Sequence, residues 1–207
     1  MAHYAIVTDL NRCVGCLGCV VACKSANDVA IGEFWSKVVR MGPTPRTEGG
    51  NWPDIDMYFL PMSCQHCDTP QCISVCPTGA SHKAEDGTVQ INQDQCIGCG
   101  ACLTACPYNC RSMSVELGVA QKCTMCRDQV SDGGLPQCVT QCGGMARWFG
   151  DLDEGIESFQ GARGERLGDF VESWEDGDLY KLPDSGNGPE GIFILRRMAW
   201  QDEGTTM

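Results

Sequence analysis

Cys96-Ile-Gly-Cys99-Gly-Ala-Cys102-Leu-Thr-Ala-Cys106-Pro107 is the stretch on which the reading of this chain turns. Its cysteines follow the spacing C-x2-C-x2-C-x3-C, and Cys13-Val-Gly-Cys16-Leu-Gly-Cys19-Val-Val-Ala-Cys23 repeats that spacing. The two segments align without a gap from Ile6 and Val89 onward. Each starts with a short, partly alternating stretch of strand type, passes into a glycine-containing cysteine loop and ends in a short helical turn. This is a duplicated strand–loop–helix unit. Two further blocks are stretched variants. Cys64, Cys67, Cys72 and Cys76 have two extra residues before the third cysteine, and Cys123, Cys126, Cys138 and Cys142 have eleven residues between the second and third.

Working outward, the chain has 207 residues and 17 cysteines, against 6 Phe, 5 Trp and 4 Tyr, so cysteine is not serving as routine core filling. A disulfide scaffold needs an oxidising compartment. The count here is odd, the cysteines sit in tight blocks of four, and Met1 to Cys13 shows no signal-peptide pattern. Metal ligation is the reading that fits. The formal charge of −12 argues against a nucleic-acid partner, because no basic patch offsets phosphate repulsion. No apolar run approaches the roughly 20 residues of a membrane-spanning helix.

Residues 1–150 hold every cysteine; residues 151–207 hold none and are rich in Gly, Asp and Glu. The expectation is a four-cluster body over 1–150 and an irregular, acidic, Gly-rich extension over 151–207 that packs on the body or on a partner. The extension has one strand candidate, Ile192 to Leu195, set off by the turn-forming run Asp184 to Pro189.

Blocks one and three have the run that binds [4Fe–4S] clusters in bacterial ferredoxins, where the fourth cysteine ligates the other cluster of a pair. Three thiolates at steps of three reach separate irons of one cubane. Gly15, Gly18, Gly98 and Gly100 permit the tight loop and let backbone N–H groups approach cluster sulfurs. Pro77 and Pro107 directly follow the last cysteines of blocks two and three. Taken alone, block four also fits a tetrahedral zinc site. Blocks one and three do not, and a zinc-stapled module predicts a colourless protein.

The four blocks in this order resemble the four-cluster iron–sulfur subunit of dimethyl-sulfoxide-reductase-type molybdopterin oxidoreductases. Ser63-Cys-Gln-His-Cys67, Cys76-Pro-Thr-Gly-Ala80, Glu85-Asp-Gly87, Cys106-Pro-Tyr-Asn109 and Lys122-Cys-Thr-Met-Cys126 carry the resemblance beyond cysteine spacing. It covers residue 4 to about 150. The resemblance implies an α+β fold of duplicated ferredoxin-like two-cluster units, with short strands and helices and long loops. It also implies four ligand sets, which spacing alone does not give. One cluster takes Cys13, Cys16, Cys19 and Cys142; its neighbour takes Cys123, Cys126, Cys138 and Cys23. A third takes Cys64, Cys67, Cys72 and Cys106, and the fourth takes Cys96, Cys99, Cys102 and Cys76. Because Cys102 is kept, a full cubane rather than a [3Fe–4S] centre is expected in block three. Block four ends Cys142-Gly-Gly instead of Cys-Pro, a departure that touches the local turn and not the ligation.

The implied function is non-catalytic: single electrons pass cluster to cluster, to or from a large molybdopterin (Mo or W) subunit of an anaerobic oxidoreductase. A membrane anchor is a possible second partner. Location would then be cytoplasmic or membrane-associated through partners, with export beside a signal-bearing partner left open. The alternative is a free-standing polyferredoxin. No nucleotide-binding loop or nucleophile–base arrangement can be read. Cys110 is left over and is expected to be a small buried residue, not a ligand. His66 is expected to hydrogen-bond or pack, since each block already has four thiolates. The five tryptophans are expected mainly in core packing.

Overall fold

The computed structural model describes residues 2–201, so residues 202–207 of the acidic extension lie outside the described part. Its elements are short because the cysteine loops interrupt the chain before any helix or strand can extend. In chain order they are β1 (Tyr4–Asp9), α1 (Gly18–Ala26), β2 (Ser36–Pro45), β3 (Ile55–Ser63), α2 (Gln71–Ser74), β4 (Ser81–Lys83), β5 (Val89–Ile91), α3 (Ala101–Thr104), β6 (Arg111–Met113), β7 (Ala120–Lys122), α4 (Arg127–Ser131), α5 (Gln137–Thr140), β8 (Arg147–Asp151), β9 (Gln160–Gly161), β10 (Leu179–Tyr180) and β11 (Ile192–Ile194). One pattern runs through all four blocks. A strand (β1, β3, β5, β7) leads into each cysteine loop, a helix carries or precedes the last cysteine, and another strand (β2, β4, β6, β8) leads away. The strand–loop–helix unit read from the duplicated segments is therefore present in both.

A five-stranded sheet of order β10-β11-β1-β8-β9 forms the base. β1 runs parallel to β11, with Val7 opposite Ile192, and antiparallel to β8, with Val7 opposite Trp148. Hairpins β2–β3, β4–β5 and β6–β7 make three two-stranded sheets. On one side of the base sheet Ala5, Val7, Trp148, Phe159, Leu167, Val171, Ile192 and Ile194 form one core cluster. Ile6, Cys19, Val20, Met125, Cys138, Val139 and Phe149 form another. Alternate β1 residues thus feed the two clusters, as the period-two side-chain alternation of a strand requires.

The cysteine-free segment is built into this sheet. The composition boundary at residue 150 falls inside β8, and β9, β10 and β11 all come from beyond it. Phe193, Leu195 and Leu182 pack with Leu60, Met62 and Tyr108 beneath the cysteine loops. Trp148 and Trp35 are buried, as expected; Trp52, in the β2–β3 connection, is 82% exposed and takes no part in the core. That connection is held by Arg46, whose Nε donates to Asp56 at 2.6 Å, rather than by apolar packing.

Candidate metal centre

None of the seventeen cysteines is in a disulfide. Each loop opens with the same backbone device. The residue before the second cysteine has positive φ in every block: Gly15 (67°), His66 (45°), Gly98 (66°) and Met125 (61°). This left-handed turn lets a C-x2-C stretch curl so that successive N–H groups face inward, a geometry that forms anion-binding concavities. At Gly98 a Cβ would lie 2.2 Å from the Gly118 carbonyl oxygen, and at Gly15 it would meet the Phe59 ring at 2.7 Å, so glycine is required at both. His66 and Met125 adopt the left-handed turn with full side chains, at a cost of about 1–2 kcal/mol each.

The loops converge. One cavity is lined by Cys13, Cys16, Cys19 and Cys142, with Gly15, Gly144 and Arg147. A second is lined by Cys23, Cys123, Cys126 and Cys138. α1 packs on α5, which brings block one against block four. Elsewhere Cys67 faces Cys64, Cys72 and Cys106, whose nearby thiols, after burial, push its own pKa far up. α2 packs on α3, bringing the helix before Cys76 against the helix that bears Cys102. Among the described residues no three His, Cys, Asp or Glu side chains close on a single ion.

The surroundings suit anionic sulfur. Backbone N–H groups of Ser81, Ala120, Met125 and Ala146 donate to Cys76, Cys96, Cys123 and Cys142 Sγ at 3.3–3.5 Å. Asn27 Nδ2 lies 3.8 Å from both Cys23 and Cys126 Sγ, bridging blocks one and four. Arg111 Nη2 donates to Cys72 Sγ at 2.8 Å. Burial, with the neighbouring thiols Cys138 and Cys126, pushes Cys23 up to about 12. Cys76 is pulled down to about 7, chiefly by the Ser81 N–H. Deprotonation of the buried thiols therefore belongs to metal binding.

Cys110 stands apart: its thiol is buried and donates to the Ser63 and Tyr108 carbonyls at 3.0 and 3.1 Å, and burial holds it well above its ordinary pKa. His66 is fully buried, and its Nδ1 accepts the Val89 N–H at 3.1 Å. Burial, then the charges of Lys122, Arg111 and Lys83, keep it neutral.

Sequence reasoning missed the brace over block two. The two extra residues of that block are held by the Asp184 turn, whose carboxylate accepts from the N–H groups of Gly186, Asn187 and Gly188. From that turn Gly188 O and Asn187 O accept the N–H groups of Asp68 and Thr69, and Asn187 Oδ1 accepts that of Gln71. The available signal was the turn run itself, which composition presents as a linker.

A family described as 4Fe-4S dicluster domain matches residues 55–152, and another of the same description matches residues 12–80. The chain is 42% identical over 153 residues to the thiosulfate reductase electron transfer subunit of Salmonella typhi, covering 73% of this chain and 78% of that one. It is 35% identical over 219 residues to a sulfite dehydrogenase subunit of Allochromatium vinosum, covering 95% and 85%. A Halobacterium salinarum protein named as a dimethyl sulfoxide reductase iron-sulfur subunit is 39% identical over 178 residues, covering 74% and 68%. The chain belongs to the iron–sulfur electron-transfer subunits of the dimethyl-sulfoxide-reductase type.

As such a subunit it carries four [4Fe–4S] clusters and transfers electrons without catalysing a substrate reaction of its own. The residues present fit that cargo: sulfur donors in convergent loops, N–H groups aimed at them, and buried cations beside them. Among the described residues no helix is long and apolar enough to cross a membrane.

Proposed function

We propose that the sixteen cysteines of the four blocks hold the clusters in the sets Cys13/Cys16/Cys19/Cys142, Cys23/Cys123/Cys126/Cys138, Cys64/Cys67/Cys72/Cys106 and Cys76/Cys96/Cys99/Cys102. The chain is thereby an α+β protein of duplicated ferredoxin-like units, with the described part of the extension, residues 151–201, bracing them. The observation that carries the reading is the pair of cavities in which blocks one and four each contribute to both four-thiol linings. Helix packing supports neighbouring pairs along one line: α1 lies on α5, which joins the first two sets, and α2 lies on α3, which joins the last two.

Electrons travel along this line singly, to or from a large molybdopterin subunit. Cys16 and Cys99 are the two exposed cysteines. Cys16 is rimmed by exposed Val14, Leu17 and Val21, and the Cys99 loop by exposed Ile97. The family pairing assigns the first rim to the catalytic subunit. The second rim then serves the next redox partner, for which a membrane anchor is the proposal, and location follows from those partners.

Anaerobic affinity purification from the native source, with Mo and W assayed in whatever large subunit accompanies the chain, tests this. A stoichiometric Mo- or W-containing partner is the expected result. A fully loaded chain that arrives alone and exchanges electrons with several unrelated proteins would favour a free-standing polyferredoxin instead.

A further inference from the structure

Three cations are buried among the cysteine loops without a carboxylate partner among the described residues: Arg147 (3% exposed), Lys122 (3%) and Arg111 (6%). A buried, unpaired guanidinium is strongly destabilising unless an anion sits beside it. Arg147 Nε and Nη1 and Arg111 Nη1 have no hydrogen-bond partner among the described residues. Their positions are equivalent. Arg147 opens β8 five residues after Cys142, and Arg111 opens β6 five residues after Cys106. Lys122 closes β7 directly before Cys123.

Each cation spans two ligand sets. Arg147 lines the Cys13/Cys16/Cys19/Cys142 cavity. Burial opposes its charge, and the cysteine sulfurs near enough to favour it come from both sets of that pair, Cys138 and Cys123 on one side, Cys19 and Cys142 on the other. Arg111 bonds Cys72 Sγ and Ser81 Oγ, and the other cysteine sulfurs that favour its charge are Cys64 and, from the neighbouring set, Cys102. Lys122 Nζ donates to the Val89 and Cys123 carbonyls, and its charge acts on Cys123 of one set and Cys72 of the next.

Resting on the ligand sets above, we propose that Arg147, Lys122 and Arg111 are resident counter-cations, one at each junction of the four-cluster line. A cubane held by four thiolates is anionic and gains negative charge on reduction, so a buried cation beside it favours the reduced form. Placed at junctions, each cation raises the potentials of two neighbours together and keeps consecutive clusters within reach of one another. These are positioning residues in the electrostatic sense; they hold no iron.

The test is an anaerobic redox titration of the intact complex followed by electron paramagnetic resonance, with iron assayed on the same samples. In Arg147→Gln, two of four potentials should fall, the reduced-to-oxidised ratio at fixed ambient potential changing by roughly tenfold, which is about 59 mV for one electron. In Arg111→Gln the other two should fall. Arg147→Lys should keep all clusters and lie nearer the unsubstituted protein. With about sixteen iron atoms retained, no shift, or an equal shift in all four centres, overturns the proposal. If the Gln variant loses iron while the Lys variant keeps it, charge is what the site needs. Loss in both overturns the charge argument. An unsubstituted protein with fewer clusters would instead refute the ligand sets.

Discussion

Gly98→Ala offers a graded test of how the cysteine loops are built. Gly98 has φ +66°, and an added Cβ would sit 2.2 Å from the Gly118 carbonyl oxygen. Relief requires that carbonyl to retreat by on the order of 1 Å, since non-bonded heavy atoms settle near 3.5 Å. Gly118 belongs to the β6–β7 turn, where its N–H donates to Ser114 O at 2.9 Å. Two residues on, the Ala120 N–H donates to Cys96 Sγ at 3.4 Å, so movement of the turn reaches the sulfur. The left-handed backbone costs about 1–2 kcal/mol with a side chain. Overpacking adds about 1–3 kcal/mol, for a total of about 2–5 kcal/mol. Gly100→Ala shares the left-handed backbone (φ +75°) but meets nothing within 4 Å, so it should cost only the conformational term of about 1–2 kcal/mol. Gly143→Ala has neither problem and should stay within about 0.5 kcal/mol of the original. Isothermal release of the clusters, followed by their visible absorbance, should rank the variants 98, then 100, then 143. Equal release by Gly98→Ala and Gly100→Ala would refute the claim that the Gly118 contact matters.

Cys102→Ser should disturb one cluster and leave three, read by iron content and electron paramagnetic resonance; loss of two or more would contradict the proposed sets. Cys110→Ala should retain the full iron content, because its thiol bonds only to the Ser63 and Tyr108 carbonyls; iron loss would make it a ligand. His66→Ala strands the buried Val89 N–H and should cost about 1–3 kcal/mol, seen as a lower denaturant midpoint of the loaded protein. Val14→Asp should weaken association with the large subunit in pull-down without altering iron content, and unchanged association would remove the Cys16 rim from the interface.

The cysteine spacing made the loops legible because ligand geometry constrains sequence tightly: Cys13 to Cys23 and Cys96 to Cys106 are nearly superimposable as text. The left-handed residue was legible at Gly15 and Gly98 and hidden at His66 and Met125, where the turn is held with full side chains. The extension was read least well. Its strands β9 and β10 have two residues each, too short for any periodicity. Its Asp184 turn gains its role only through partners more than a hundred residues away. The junction cations carry no spacing signal by themselves; Arg111 and Arg147 align only after the blocks have been superimposed.

Native mass spectrometry of the anaerobically purified chain, with and without prior thiol alkylation in mild denaturant, tests the central claim most directly. The predicted result is four [4Fe–4S] units on one chain, with the exposed Cys16 and Cys99 escaping alkylation while the clusters stay bound and Cys110 shielded by its burial. Fewer units, zinc in place of iron, or alkylation of Cys16 or Cys99 on the loaded chain would contradict it.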